Sequence, residues 1–125
     1  MMKTVADLMT RQVLTVDPEA SAKEAAHELV LAGYHGAPVR DSAGHVLGVL
    51  STTDVADQVE PKKVGDVMAP VLFAVMAADP AMDAVKRMVE TGTHRLVVVD
   101  ESGELVGLVT PMDVLKALLG GWRPE

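Results

Sequence analysis

Gly48-Val49-Leu50-Ser51-Thr52-Thr53-Asp54 decides how this chain is read, because the pattern returns 59 residues later as Gly107-Leu108-Val109-Thr110-Pro111-Met112-Asp113. Each copy starts with glycine, runs through two aliphatic residues and reaches a hydroxyl residue followed three positions later by a carboxylate. That order suits a short strand passing directly into the N-terminus of a helix. Working outward at the same offset, Val5-Ala6-Asp7-Leu8-Met9 falls on Val64-Gly65-Asp66-Val67-Met68, and Gly33-Tyr34-His35 falls on Gly92-Thr93-His94. Asp41, Gly44 and Gly48 meet Asp100, Gly103 and Gly107. Residues 5–60 laid on 64–119 give 15 identities in 56 positions, where unrelated segments of ordinary composition share about four. The chain is a tandem duplication.

Each copy reads as strand, helix, strand, strand, helix. Val13 to Val16 and Leu72 to Val75 are short β-prone runs ahead of a helix start. Ser21 to Glu24 has the spacing of a capping box, and Asp79-Pro80 reads as an N-cap before a proline at the first helical position. Ala22, Ala25, Ala26, Leu29 and Val30, matched by Ala81, Ala84, Val85, Met88 and Val89, line one helical face that stops at Gly33 and Gly92. Hairpins follow. Ala37 to Arg40 turns through Asp41 to Gly44 into Val46 to Leu50, and Leu96 to Val99 turns through Asp100 to Gly103 into Leu105 to Val109. Closing helices are predicted over about Thr53–Val59 and Met112–Leu119. The expected organisation is repeat 1 over 1–60, a Pro61-Lys62-Lys63 linker at 61–63, repeat 2 over 64–120, and a tail at 121–125 carrying Trp122.

The 125 residues are 49% hydrophobic but only 2% aromatic (Tyr34, Phe73, Trp122), so the core must be aliphatic. One repeat of about 60 residues is marginal as an independent unit, which makes each copy dependent on the other. The excess of 18 acidic over 11 basic residues gives a formal charge of −7, contrary to the clustered Lys and Arg that nucleic-acid binding requires. No apolar run has the length of a bilayer span, and the expectation is a cytoplasmic protein with no membrane contact. There is no cysteine for a thiolate nucleophile or a disulfide, and the four histidines are not spaced as a metal site. The acids are scattered over turns and helix starts rather than gathered as an acid/base pair, so an enzyme is not expected.

The repeated order, Asp-Leu-Met and Asp-Val-Met at the two starts, His94-Arg95-Leu96-Val97-Val98-Val99-Asp100, and the paired Gly-apolar-apolar-Ser/Thr-x-x-Asp segments resemble the CBS domain, of cystathionine-β-synthase type. The tandem resembles a stand-alone CBS pair, or Bateman module, and the likeness covers nearly the whole chain. It implies a mixed α/β fold of the α+β kind, with two β-α-β-β-α repeats packed through their sheets about a pseudo-twofold axis. It further implies two clefts for adenosine-containing ligands such as AMP, ADP, ATP or S-adenosylmethionine, with or without Mg. The function it implies is a regulatory module that senses the nucleotide and transmits a change of conformation or association. It also implies a homodimer and an effector protein whose identity the sequence does not give. The alternative is an oligomerisation or protein-interaction scaffold with degenerate clefts. No obligatory cofactor is expected.

With the resemblance in place, Ser51 with Asp54 and Thr110 with Asp113 are candidate readers of ribose and phosphate. The hydroxyl and backbone N–H groups suit a phosphate, and the acceptor-only carboxylate suits a ribose diol; the same residues also suit plain helix capping. His94 and Arg95 are candidate phosphate donors, or a solvated pair at the core edge. The first repeat keeps His35 but has Gly36 in place of the arginine, so the site served by Arg95, Thr110 and Asp113 is expected to hold phosphate better. An adenine slot would draw on Leu14, Thr15 and Val16, the loop around His35 to Pro38 with Ala37, and the counterparts Phe73 to Val75, although core packing explains the aliphatic ones better. Leu96-Val97-Val98 departs from the family's common Leu-Pro-Val, whereas Ala37-Pro38-Val39 keeps the proline.

Overall fold

A computed structural model describes residues 3–56, 58, 60–71 and 73–124. The chain divides into two compact units, Leu14–Val71 and Met1–Val13 with Leu72–Glu125. The units do not coincide with the sequence repeats, because each contains the opening segment of the other repeat.

In the Leu14–Val71 unit, α2 (Ala22–Leu31) precedes strands β1 (Gly36–Arg40) and β2 (Val46–Ser51), then the short α3 (Thr52–Ala56) and α4 (Val64–Val67). Strands β1 and β2 pair antiparallel, with Gly36 opposite Ser51 and a bulge between Val39 and Arg40. Ala22, Ala25 and Leu29, three positions of the predicted face, pack with Val39, Leu50, Val55 and Val64 as one core. Val64 comes from the second repeat's opening segment and is fully buried. Pro61-Lys62-Lys63 is tied to the same unit: Ala22 N donates to Lys62 O at 2.9 Å, and Lys63 Nζ meets Glu19 Oε2 at 2.7 Å.

The other unit begins with α1 (Val5–Leu8) and continues with β3 (Ala74–Met76), α5 (Ala81–Thr91), β4 (Leu96–Val99), β5 (Leu105–Val109) and α6 (Pro111–Leu119). Its sheet has the order β3-β4-β5, with β3 and β4 parallel and β4 and β5 antiparallel. Val5 of the first repeat is buried with Val75, Ala84, Met88, Leu96, Val98 and Val109. The expected helix stops are present, with Gly33 and Gly92 at φ 83° and 70°.

Gly48 and Gly107 explain how an opening segment reaches the other repeat's strand. Thr10 N donates to Leu108 O at 2.8 Å and Leu108 N returns the bond to Thr10 O at 3.0 Å. Val49 and Ala69 make the equivalent exchange at 2.8 and 2.9 Å. A Cβ on Gly48 would lie 2.5 Å from Ala69 O, and one on Gly107 would lie 2.8 Å from Thr10 O. Only a residue without a side chain lets the crossing backbone come this close.

Four expectations are corrected. Of the run Val13–Val16, only Val16 pairs, as a parallel bridge to Val39, and the second run gives a strand starting at Ala74, with Leu72 outside the described residues. Pro80, not Asp79, stands at the N-cap of α5; the Asp79 carboxylate instead accepts from Met76 N at 3.0 Å and closes the preceding turn. The helix expected over Thr53–Val59 is Thr52–Ala56, and Val59 lies outside the described residues; the last helix starts one residue early because Pro111 suits its first position. The tail is folded back: Trp122 is 7% exposed and packs with Leu8 and Ala81, held by Trp122 N donating to Ala117 O at 3.0 Å.

Candidate functional site

The predicted residues fall into two sets, Thr15, Val16, His35, Ala37, Pro38, Ser51 and Asp54 in the Leu14–Val71 unit, and Val75, His94, Arg95, Thr110 and Asp113 in the other. Within each unit the residues around the strand-to-helix junction lie at one end of the hairpin, whereas Val16 and Val75 stand further along, opposite Val39 and Val98.

In the first set, Val16 N donates to Pro38 O at 3.0 Å and Arg40 N donates to Val16 O at 3.0 Å. Ala37 faces Leu50 and Gly36 faces Ser51. Thr15-Val16, Ala37-Pro38 and Leu50-Ser51 therefore run side by side. His35 is exposed just before β1, and its carbonyl accepts from Thr52 N at 2.9 Å and Thr52 Oγ1 at 3.1 Å, fixing the loop to the helix start. Ser51 Oγ lies 2.7 Å from Thr53 Oγ1. Asp54 is exposed; its backbone carbonyl accepts from Gln58 Nε2, while its carboxylate receives no hydrogen bond from the described residues.

In the second set, Leu96 faces Val109 across the hairpin, which brings Arg95, one residue before, and Thr110, one residue after, to the same edge. Thr110 and Asp113 form a reciprocal capping box. Asp113 Oδ2 accepts from Thr110 N at 2.9 Å and Thr110 Oγ1 at 3.2 Å. Asp113 Oδ1 accepts from Thr10 Oγ1 at 2.9 Å. The capping role is thus realised at Thr110. At Ser51 the hydroxyl instead joins Thr53.

The aliphatic candidates divide by burial. Ala37 and Val75 are each 4% exposed within their units' cores, so their side chains are packing residues. Val16 and Phe73 pack partly against those cores, whereas Thr15 is half-buried and Leu14 exposed. His94 and Arg95 are exposed.

Thr10 was missed because it stands 103 residues from Asp113 in sequence. The duplication itself holds the signal: Thr10 aligns with Ala69 and Leu108 with Val49, and both pairs form the same bridge.

The hairpin turns, at the opposite end of the strands from these junctions, are built by carboxylates. Asp100 Oδ1 accepts from Ser102 Oγ at 2.7 Å, Ser102 N at 2.9 Å and Glu104 N at 3.0 Å. The Ser102 hydroxyl first, then the backbone N–H groups, hold its pKa below the usual carboxylate range. Asp41 repeats the turn with Ala43 N and His45 N at 3.0 and 2.9 Å. A recess of about 400 Å³ beside Asp100 is lined by Met76, Ala77, Ala78, Asp100, Glu101 and Ser102, and one of about 340 Å³ lies where α2 meets α3, including Lys23, His27, Val30 and Thr52. Neither is lined by a predicted site residue. Among the described residues, no helix is long and apolar enough to cross a membrane.

A family model, the CBS domain, matches residues 5–60 and again 64–120. The chain belongs to the CBS domain family. Both CBS repeats carry the Ser/Thr-x-x-Asp junction described above. Among solved structures, the CBS-pair protein CBSX2 from Arabidopsis thaliana, in complex with AMP, is 31% identical with a TM-score of 0.84; the match covers 97% of this chain and 99% of that one. The CBS domain pair of protein MJ0100, in complex with 5′-methylthioadenosine and S-adenosyl-L-methionine, shares the fold at 22% identity and a TM-score of 0.79, over 98% of this chain and all (100%) of that one. The uncharacterized protein MJ1232 of Methanocaldococcus jannaschii is 32% identical over 123 residues, which are 97% of this chain and 41% of that protein. The chain thus spans less than half the length of this relative.

Proposed function

We propose that this CBS pair is a regulatory module that takes an adenosine compound, AMP, ADP, ATP or S-adenosylmethionine, at its Ser/Thr-x-x-Asp junctions. Filling them changes its conformation or association, through different affinities of the ligand for the alternative arrangements. The observation that carries the proposal is the twofold occurrence of a hydroxyl and a carboxylate at a strand-to-helix junction, in a chain whose 31%-identical structural neighbour holds AMP. In this reading Asp54 and Asp113 accept ribose hydroxyls, Ser51 and Thr110 donate toward phosphate, and Arg95 and His94 add charge-assisted donors. Thr15, Val16, His35, Ala37, Pro38 and Val75 shape the base slot through backbone and contour.

Ligand that binds only the folded state raises the melting temperature. Scans with each of the four compounds, and with ATP with and without Mg, should show that rise for at least one. No rise at millimolar ligand, together with no heat on titration, would sink the proposal.

A second reading, an association scaffold, is favoured by Met112, Leu115 and Leu119, which lie 57%, 53% and 91% exposed along α6 at helical spacing. It predicts a homodimer or a captured effector protein that is indifferent to nucleotide; light scattering with and without AMP separates the two. Both readings set the protein in the cytoplasm, which fractionation of cells tests.

A further inference from the structure

The two junctions differ in what reaches the carboxylate. Asp113 Oδ1 is taken by Thr10 Oγ1 at 2.9 Å, and Asp113 Oδ2 by Thr110 N and Oγ1 at 2.9 and 3.2 Å. An ionised carboxylate offers about four acceptor sites. With three filled, the one open position is on Oδ1 beside Thr10, so Asp113 cannot accept both hydroxyls of a diol unless a threonine lets go, and Thr10 is the one that shares Oδ1. At the matching place in the other unit Ala69 replaces Thr10, and the Asp54 carboxylate has no donor among the described residues.

Thr10 offers Asp113 the same group that a ribose would, an aliphatic hydroxyl. It is delivered by a strand segment already fixed by the paired bonds to Leu108 at 2.8 and 3.0 Å, so it competes as a tethered group with little ordering left to pay. We propose that Thr10 is a positioning residue that acts as a built-in competitor for the Asp113 carboxylate, lowering the affinity of the second-repeat junction for a vicinal diol. The inference rests on the nucleoside reading of the preceding section. It concerns the ribose and leaves the expectation that the Arg95, Thr110 and Asp113 site holds phosphate better untouched.

Thr10→Val keeps the shape and the backbone pairing of an exposed residue and deletes the hydroxyl, whereas Thr10→Ser keeps a hydroxyl. Calorimetric titration with AMP should show Thr10→Val binding about three- to tenfold tighter than wild type, the net worth of one ordinary hydrogen bond at an exposed site, with Thr10→Ser close to wild type. With 2′-deoxy-AMP the gain should shrink, because the freed acceptor then has one hydroxyl fewer to take; a purely structural effect would carry over unchanged. Melting temperatures without ligand check that both variants fold. If wild type binds AMP and Thr10→Val binds it equally or more weakly, or gains as much with the deoxy compound, the competitor role is overturned and the nucleoside reading stands. If none of the three chains binds AMP, ADP, ATP or S-adenosylmethionine, both fall together.

Discussion

Gly48 lies so close beneath Ala69 that an added Cβ would stand 2.5 Å from its carbonyl oxygen. The contact is with backbone, which cannot swing aside. Gly48→Ala must therefore break the Val49–Ala69 exchange or displace the opening segment, at about 1–3 kcal/mol. Gly107→Ala faces Thr10 O at 2.8 Å and Met9 Sδ at 2.7 Å, and should cost a similar amount. Urea unfolding of the two variants measures both losses.

Trp122 is the only tryptophan of the chain and a sensitive reporter of the unit containing Leu72–Glu125. Its burial with Leu8 and Ala81 predicts blue-shifted native emission that moves red on unfolding. Trp122→Ala should lower stability by about 3 kcal/mol, the usual cost of emptying a buried aromatic site, read from the urea midpoint by circular dichroism.

Asp113 and Asp54 should part company when ligand is absent. Asp113→Ala removes the reciprocal cap of α6 and should cost about 1 kcal/mol. Asp54→Ala removes an exposed carboxylate with no bonded donor among the described residues and should stay within about 0.5 kcal/mol of wild type. Unfolding curves without nucleotide test this. Under the proposed function, each variant also loses part of the melting-temperature rise that AMP produces.

Two groups set opposite pH edges. The pKa of Asp100 is lowered by the Ser102 hydroxyl and neighbouring N–H groups, so its contribution is present above the ordinary carboxylate range and is lost as pH falls through the lowered value. Lys63 is raised by its hydrogen bond and charge pairing with Glu19; its contribution is present below the ordinary lysine range and is lost as pH rises through the raised value. Asp100→Ala should flatten the acid limb of a melting-temperature profile, and Lys63→Met the alkaline limb. Both groups lie at the surface, so added salt should mute the Lys63 effect.

The duplication made much of this fold readable. Hairpins with turn carboxylates at Asp41 and Asp100, and helices ending at Gly33 and Gly92, follow from local chemistry that a sequence displays. The pairing of Thr10 with Leu108 does not. Nothing in Met9-Thr10-Arg11 says which strand it will join, because that choice depends on a hole left by a distant Gly107. The packing of Trp122 is hidden for the same reason: it follows two glycines in a short tail, and the apolar surface it covers comes from Leu8 and Ala81. At the candidate site, residue types and spacing pointed to Thr110 and Asp113, but how many acceptor positions remain open depends on a hydroxyl from elsewhere in the chain.

The exchange of opening segments also sets a timetable for synthesis. Leu14–Val71 is continuous and can close as soon as Val71 has left the ribosome. The segment carrying Val5 and Leu8 precedes that unit in the chain, yet its place beside β5 and Trp122 is complete only after Trp122 has been made. While residues 14–121 are being made, its apolar side chains wait without their full set of partners, which leaves this segment open to mispairing with a neighbouring copy.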